Sequence, residues 1–131
     1  MGKKVLAGGA FNILHPGHIF FLERARKLGD KLVVVIASDK KVKSRKKLLE
    51  NTNYRAERIN ALSFVSKVVI GDDDDMMKIV RDEKPDIIAL GYDQDAEEIR
   101  KMLYKDRLFC KMVRIEKLKG YSTKKITGGQ K

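Results

Sequence analysis

Two histidines, the only ones in the chain, stand three residues apart in the segment Gly8-Gly9-Ala10-Phe11-Asn12-Ile13-Leu14-His15-Pro16-Gly17-His18. The two glycines permit close backbone approach, and Pro16 sits where a helix should begin. A helix N-terminus offers unpaired amide groups and a partial positive charge, which together favour phosphate. Imidazoles at His15 and His18 would add donors able to follow charge as it builds on phosphate oxygens. The segment matches neither the Walker A sequence nor the dinucleotide GxGxxG fingerprint, so those two routes to phosphate are absent. The plainer role for the pair is a helix cap and a solvated surface residue.

Other groups invite a chemical reading. The run Lys40-Lys41-Val42-Lys43-Ser44-Arg45-Lys46-Lys47 is basic enough to meet a polyanion, although such runs are often only solvated loops. Four consecutive acids, Asp72 to Asp75, suggest a metal cluster at first sight. Preceding Met76-Met77-Lys78-Ile79, they are more simply a cap and favourable charges at a helix N-terminus, because neighbouring acids rarely converge as ligands. No protein-held metal site is therefore expected. Cys110, the single cysteine, alternates with Leu108 and Met112 and reads as a buried apolar thiol.

The elements that must position these groups are legible in the apolar pattern. Lys4 to Gly8 and Leu32 to Ala37 are runs too short for helices and too apolar for an exposed sheet, as expected of buried parallel strands. Lys67 to Ile70, Asp86 to Leu90 and Leu108 to Ile115 extend the series. Between them, Gly17–Leu28 carries Phe21, Ala25 and Leu28 at helical spacing and stops at Gly29. Thr52–Phe64 has Thr52 as N-cap, with Ile59 and Leu62 on one face. Met76, Ile79 and Val80 mark a third helix ended by Lys84-Pro85, and Asp95 caps a fourth carrying Ile99, Met102 and Leu103. This alternation predicts an α/β fold, a five-stranded parallel sheet with helices on both faces and right-handed crossovers. Ligands in such sheets bind outside the carboxyl ends of the strands, which selects the loops after Gly8, Ala37, Ile70, Leu90 and Ile115.

Length and composition bound the class. With 131 residues, 43% hydrophobic and 36% charged, the chain fits one soluble domain, read as 1–126 with a loose tail at 127–131. Its formal charge of +11 suits an anionic partner such as a nucleotide, a nucleic acid or a membrane surface. Val5 to Leu22 contains no Asp, Glu, Lys or Arg over 18 residues, yet Asn12, His15, Pro16, His18 and the glycines interrupt it. It is read as neither a membrane span nor a signal peptide. One cysteine excludes a disulfide framework and fits a cytoplasmic setting.

The segment GGAFNILHPGH resembles the GTFDxxHxGH signature of the cytidylyltransferase-like nucleotidyltransferases. Gly120-Tyr121-Ser122-Thr123-Lys124-Lys125-Ile126 resembles their second, ISSTxI-type signature, and Gly91-Tyr92-Asp93-Gln94 resembles the GYDQ segment of archaeal FAD synthases. The three motifs occur in family order over essentially the whole chain. The resemblance implies a single Rossmann-like α/β/α domain that transfers a nucleotidyl group from a nucleoside triphosphate to a phosphate-bearing acceptor and releases pyrophosphate. With ATP and FMN as substrates this is FAD synthesis. Glycerol-3-phosphate cytidylyltransferase and other phosphosugar enzymes resemble the chain too, through the HxGH loop and the YST segment. By the resemblance, His15 and His18 stabilise phosphates during in-line attack at the α-phosphorus. Gly9, Ala10, Phe11, Pro16 and Gly17 line the nucleotide, Asp93 contacts the nucleoside, and Tyr121, Ser122 and Thr123 meet base and phosphates. Ser122 also reads independently as the N-cap of a short helix, whereas Asp93 or Asp95 could simply cap the helix that follows. Lys46 or Lys47, together with Arg55, match the family's triphosphate-holding Lys and Arg, although a surface salt bridge would also account for Arg55. Mg2+ is expected to arrive with the triphosphate, and a homodimer is common among such enzymes. Two positions depart from the signature: Ala10 replaces a Thr and Asn12 an Asp. A non-enzymatic nucleotide- or nucleic-acid-binding module is the rival reading, weakened for nucleic acid by the lack of Trp or any evident stacking platform.

Overall fold

A computed structural model describes residues 2–11, 14–43 and 51–118. The elements run β1 (Lys4–Gly9), α1 (Pro16–Arg26), β2 (Lys31–Ile36), α2 (Asp39–Lys43), α3 (Thr52–Asn60), β3 (Lys67–Ile70), α4 (Lys78–Glu83), β4 (Ile87–Leu90), α5 (Ala96–Lys105) and β5 (Lys111–Arg114). All strand pairs are parallel, in the order β3-β2-β1-β4-β5. The chain thus builds outward from β1 on one side, then returns to build outward on the other. That reversal lies between β1 and β4.

Burial on both faces explains the uninterrupted apolar runs. Val5, Ala7, Leu32, Val34, Ile36, Ile87 and Ala89 point to one face and pack with Leu22 and Ala25 of α1 and Ile59 of α3. Leu6, Val33, Ile88 and Leu90 point to the other and pack with Val80 of α4 and Leu103 of α5. Side chains alternate strictly along each strand, so neither face could be spared its apolar residues. Val5 to Leu22, the stretch without charges, is divided among β1, the following loop and the first part of α1. Among the described residues no helix is long and apolar enough to cross a membrane.

Several boundaries differ from the sequence expectation for local reasons. The first helix begins at Pro16, one residue earlier, with His15 as its N-cap. It ends at Arg26 with Lys27 as C-cap, short of Gly29, whose lack of a side chain serves packing instead: a Cβ there would lie 2.6 Å from the Lys3 carbonyl oxygen. The second predicted helix is capped by Asn51, whose side chain accepts from the Tyr54 amide at 2.9 Å. Thr52 instead donates its hydroxyl to Asp39 Oδ1 at 2.8 Å and accepts from the Asp39 amide at 3.1 Å. The helix ends at Asn60, and Leu62 and Phe64 pack against the core from beyond it. The third helix starts only at Lys78, with Met77 as an N-cap lacking a side-chain hydrogen bond. Part of the basic run forms α2, which its buried Val42 ties to the fold. The last strand is shorter than the apolar run around it.

Candidate active site

A cavity of about 610 Å3 opens over the carboxyl ends of the strands, spanning the reversal between β1 and β4. Crevices of this kind are the usual ligand sites of doubly wound sheets. On one side it is lined by Gly9, Ala10, Phe11, His15, Gly17 and His18.

His15 is buried and caps α1, its Nδ1 accepting the Gly17 amide at 3.0 Å. An accepting Nδ1 leaves the ring proton on Nε2, so the imidazole is neutral and can donate from Nε2. Burial also pushes its pKa below the ordinary imidazole value, in the same direction. The cap and the phosphate-binding reading are therefore complementary, because they call on different ring nitrogens. The ring of His18 stacks on that of His15, with centroids 3.8 Å apart and planes at 27°. Phe11 meets His18 edge-on at 5.2 Å. Phe11 holds a left-handed backbone at φ 49°, a conformation costing about 1–3 kcal/mol that its buried ring offsets. A Cβ on Gly9 would stand 3.1 Å from the Phe11 ring, which is why a glycine precedes this turn.

Arg55 is placed behind the loop rather than in the cavity. It is fully buried, and its Nη1 donates to the Ala10 carbonyl at 2.7 Å. Its Nη2 donates to Asp39 Oδ1 at 2.9 Å and to Thr52 Oγ1 at 3.2 Å. Hydrogen bonding from Thr52 and then from Arg55 holds the Asp39 carboxyl below the usual range. In this structure Arg55 joins α3 and α2 to the backbone of the β1 loop.

The opposite wall comes from the β4 loop. Tyr92 and Asp93 both line the cavity. Asp95, not Asp93, caps α5, its Oδ1 accepting the Glu98 amide at 3.1 Å, so Asp93 is spared for the cavity. Gln94 crosses the crevice, its Oε1 accepting the Gly91 amide at 2.8 Å and its Nε2 donating to the Gly8 carbonyl at 3.2 Å. Tyr92 is half exposed, and the Lys117 ammonium lies 5.2 Å from its ring centroid. Lys117 lines the cavity without any signal in the sequence, while Tyr92 and Lys41, which line it too, are named there only as members of the GYDQ segment and of the basic run, with no role of their own. Of the remaining sequence candidates, Pro16 opens α1 beside the two histidines. Asn12, Lys46, Lys47, Tyr121, Ser122 and Thr123 lie outside the described residues.

The acidic run is used locally. Asp72 Oδ2 accepts the amides of Asp74 and Asp75 at 3.0 and 2.7 Å, and Asp75 Oδ1 accepts that of Met77 at 3.0 Å. Asp75 also pairs with Arg81, and Asp73 with the Ser38 hydroxyl. Among the described residues no three His, Cys, Asp or Glu side chains converge as a metal site. Cys110 is half-buried against the second core cluster, outside this cavity, and burial pushes its thiol pKa up.

Comparison with known proteins adds an independent line. Residues 6–128 match the family model described as cytidylyltransferase-like. The chain is 48% identical over 114 residues to an FAD synthase of Methanosarcina mazei, covering 86% of this chain and 76% of that one. It is 45% identical over 131 residues to an FAD synthase of Aciduliprofundum boonei, covering 98% and 86%. The crystal structure of the lipopolysaccharide core biosynthesis protein from Thermoplasma volcanium GSS1 superposes with a TM-score of 0.86 at 42% identity, covering 90% of this chain and 99% of that one.

Proposed function

The chain belongs to the cytidylyltransferase-like family, and from that footing we propose that it is an FAD synthase, transferring AMP from ATP to FMN. A phosphate oxygen of FMN attacks the α-phosphorus of ATP. The new P–O bond forms as the bond from that phosphorus to the α–β bridging oxygen breaks, and pyrophosphate leaves with the bond's electron pair. The acceptor already carries its nucleophile, so no covalent enzyme intermediate is needed. Catalysis is then positioning and stabilisation of charge on phosphate oxygens.

The observation that carries the chemistry is the stacked pair His15–His18 at the start of α1, both of which line the cavity. Neutral His15 donates from Nε2 to a phosphate oxygen, and its cap keeps that nitrogen in one tautomer throughout. The acceptor is supported by the similarity to FAD synthases at 45–48% identity. Asp93 faces the nucleoside in this reading, and Lys41 adds positive charge on the β2 side. Mg2+ carried by the triphosphate would supply neutralisation of phosphate charge.

Replacing His18 by Ala or Gln tests the assignment, with circular dichroism to verify the fold. The expected result is a kcat loss of about a hundredfold or more, with ATP affinity changed much less. Near-wild-type turnover in a folded His18→Ala enzyme would sink it.

A further inference from the structure

Arg114 ends the edge strand β5, and its guanidinium is directed at backbone carbonyls. Nη1 donates to the carbonyls of Gly91 at 2.7 Å and Tyr92 at 3.1 Å, and Nη2 donates to that of Gln94 at 2.9 Å. Three carbonyls of one four-residue loop thus converge on one planar cation. From the other side, Gln94 pins the Gly91 amide and the Gly8 carbonyl. The segment 91–94 is held by Arg114 from β5 and by its own glutamine against β1. Asp93, between these anchors, accepts no hydrogen bond from either and lines the cavity with Tyr92.

We propose that Arg114 and Gln94 are positioning residues for the nucleotide: they fix the β4 loop across the strand-order reversal, so that Tyr92 and Asp93 meet the nucleoside at a set distance from His15 and His18. The physical reasons lie in the two side chains. A loop of four residues has soft dihedrals, and each carbonyl left to water can turn. A planar guanidinium satisfies several acceptors in one fixed geometry, which an ammonium cannot reproduce. Gln94 adds a direct side-chain link between the two walls of the crevice. Neither residue needs to touch the substrate, and the reacting phosphates lie with the histidines.

This inference rests on the nucleotide-binding reading of the cavity but not on FMN as the acceptor. The test uses Arg114→Met, Arg114→Lys and Gln94→Met in the full-length protein. Binding of a non-hydrolysable ATP analogue is measured by calorimetry, and KM for ATP, KM for FMN and kcat are measured alongside. In Arg114→Met, analogue affinity is expected to fall by about tenfold and KM for ATP to rise to match, with KM for FMN and kcat within about twofold. Arg114→Lys should restore less than half of that loss on a logarithmic scale, because one ammonium cannot span three carbonyls. Combining Arg114→Met with Gln94→Met should cost less than the product of the single effects, since both act on one loop. Unchanged analogue affinity in folded Arg114→Met, full rescue by Lys, or equal losses in KM for FMN and kcat would overturn the proposal. If Arg114→Met fails to fold, Gln94→Met carries the same comparison, with the same affinity loss expected and an unchanged affinity overturning it. Weakened analogue binding in a protein whose wild type makes no FAD would leave this inference standing and remove the assigned acceptor instead.

Discussion

His15 holds a helix with one nitrogen and, in the proposed function, meets phosphate with the other, and substitutions can separate the two roles. Asn is a good N-cap and Ala is not. His15→Ala should lose about 1 kcal/mol of stability, whereas His15→Asn should recover most of it. Both should lose turnover by about a hundredfold, because neither restores the Nε2 donor. Thermal melting beside steady-state kinetics checks this; an Asn variant as active as wild type would reduce His15 to a cap. The lowered pKa of His15 adds a pH dependence. The unfolded chain takes up the proton at a higher pH than the folded one does. The contribution of His15 is therefore complete above about 6.5 and is lost as pH falls towards the folded pKa. Melting temperature should consequently drop more for wild type than for His15→Asn between about pH 7 and pH 5. The chemistry of this loop was legible because it is local: cap, proline and second histidine lie within four consecutive residues. Arg55 was legible only as a cation. Its partners, Ala10 and Asp39, lie 45 and 16 residues away, and one of them is a backbone carbonyl.

Two elements hold the sheet at the end remote from the site. Glu83, the last residue of α4, receives Lys4 Nζ at 3.2 Å and Lys67 Nζ at 2.7 Å, linking α4 to the starts of β1 and β3. The Lys67 hydrogen bond first, and that of Lys4 after it, hold the Glu83 carboxyl below its ordinary range. A carboxylate with a depressed folded pKa contributes stability that is present above its unfolded value, about 4.3, and lost as pH falls through the folded value. Glu83→Gln should therefore lower stability at pH 7 and flatten the acid limb of the stability curve below about pH 4.5, a window separate from that of His15. Chemical denaturation across pH would show it; parallel curves for variant and wild type would contradict it. At the turn after α1, Gly29→Ala must push a Cβ against the Lys3 carbonyl and Val5. A loss of about 1–3 kcal/mol is expected, read as a lower urea midpoint with an unchanged slope. The strands were legible because burial on both faces makes their composition nearly uniform. The starts of α3 and α4 were not. Asn51 and Thr52 are both good caps, and the choice depends on Asp39 reaching Thr52. Of the four acids before α4, Asp72 accepts the amides of Asp74 and Asp75, and Asp75 accepts that of Met77, which itself holds the N-cap position.

At the scale of the whole molecule, the two loops that form the site come from strands adjacent in the sheet but about eighty residues apart in sequence. Parallel order could be inferred from the alternation of elements; the order β3-β2-β1-β4-β5, which sets His15 and His18 opposite Asp93, had no local signature. Arg114 escaped notice for a related reason, since its three acceptors are carbonyls that any residues could have supplied. The net charge of +11 suits the phosphate groups of the proposed substrates, ATP and FMN. The most direct test incubates the purified protein with Mg2+, ATP and FMN, and in parallel with Mg2+, CTP and glycerol 3-phosphate, resolving the products by chromatography and following pyrophosphate. FAD and pyrophosphate appearing in equal amounts in the first reaction, with none of either product in the second, is the predicted result. CDP-glycerol in the second reaction without FAD in the first would contradict the account.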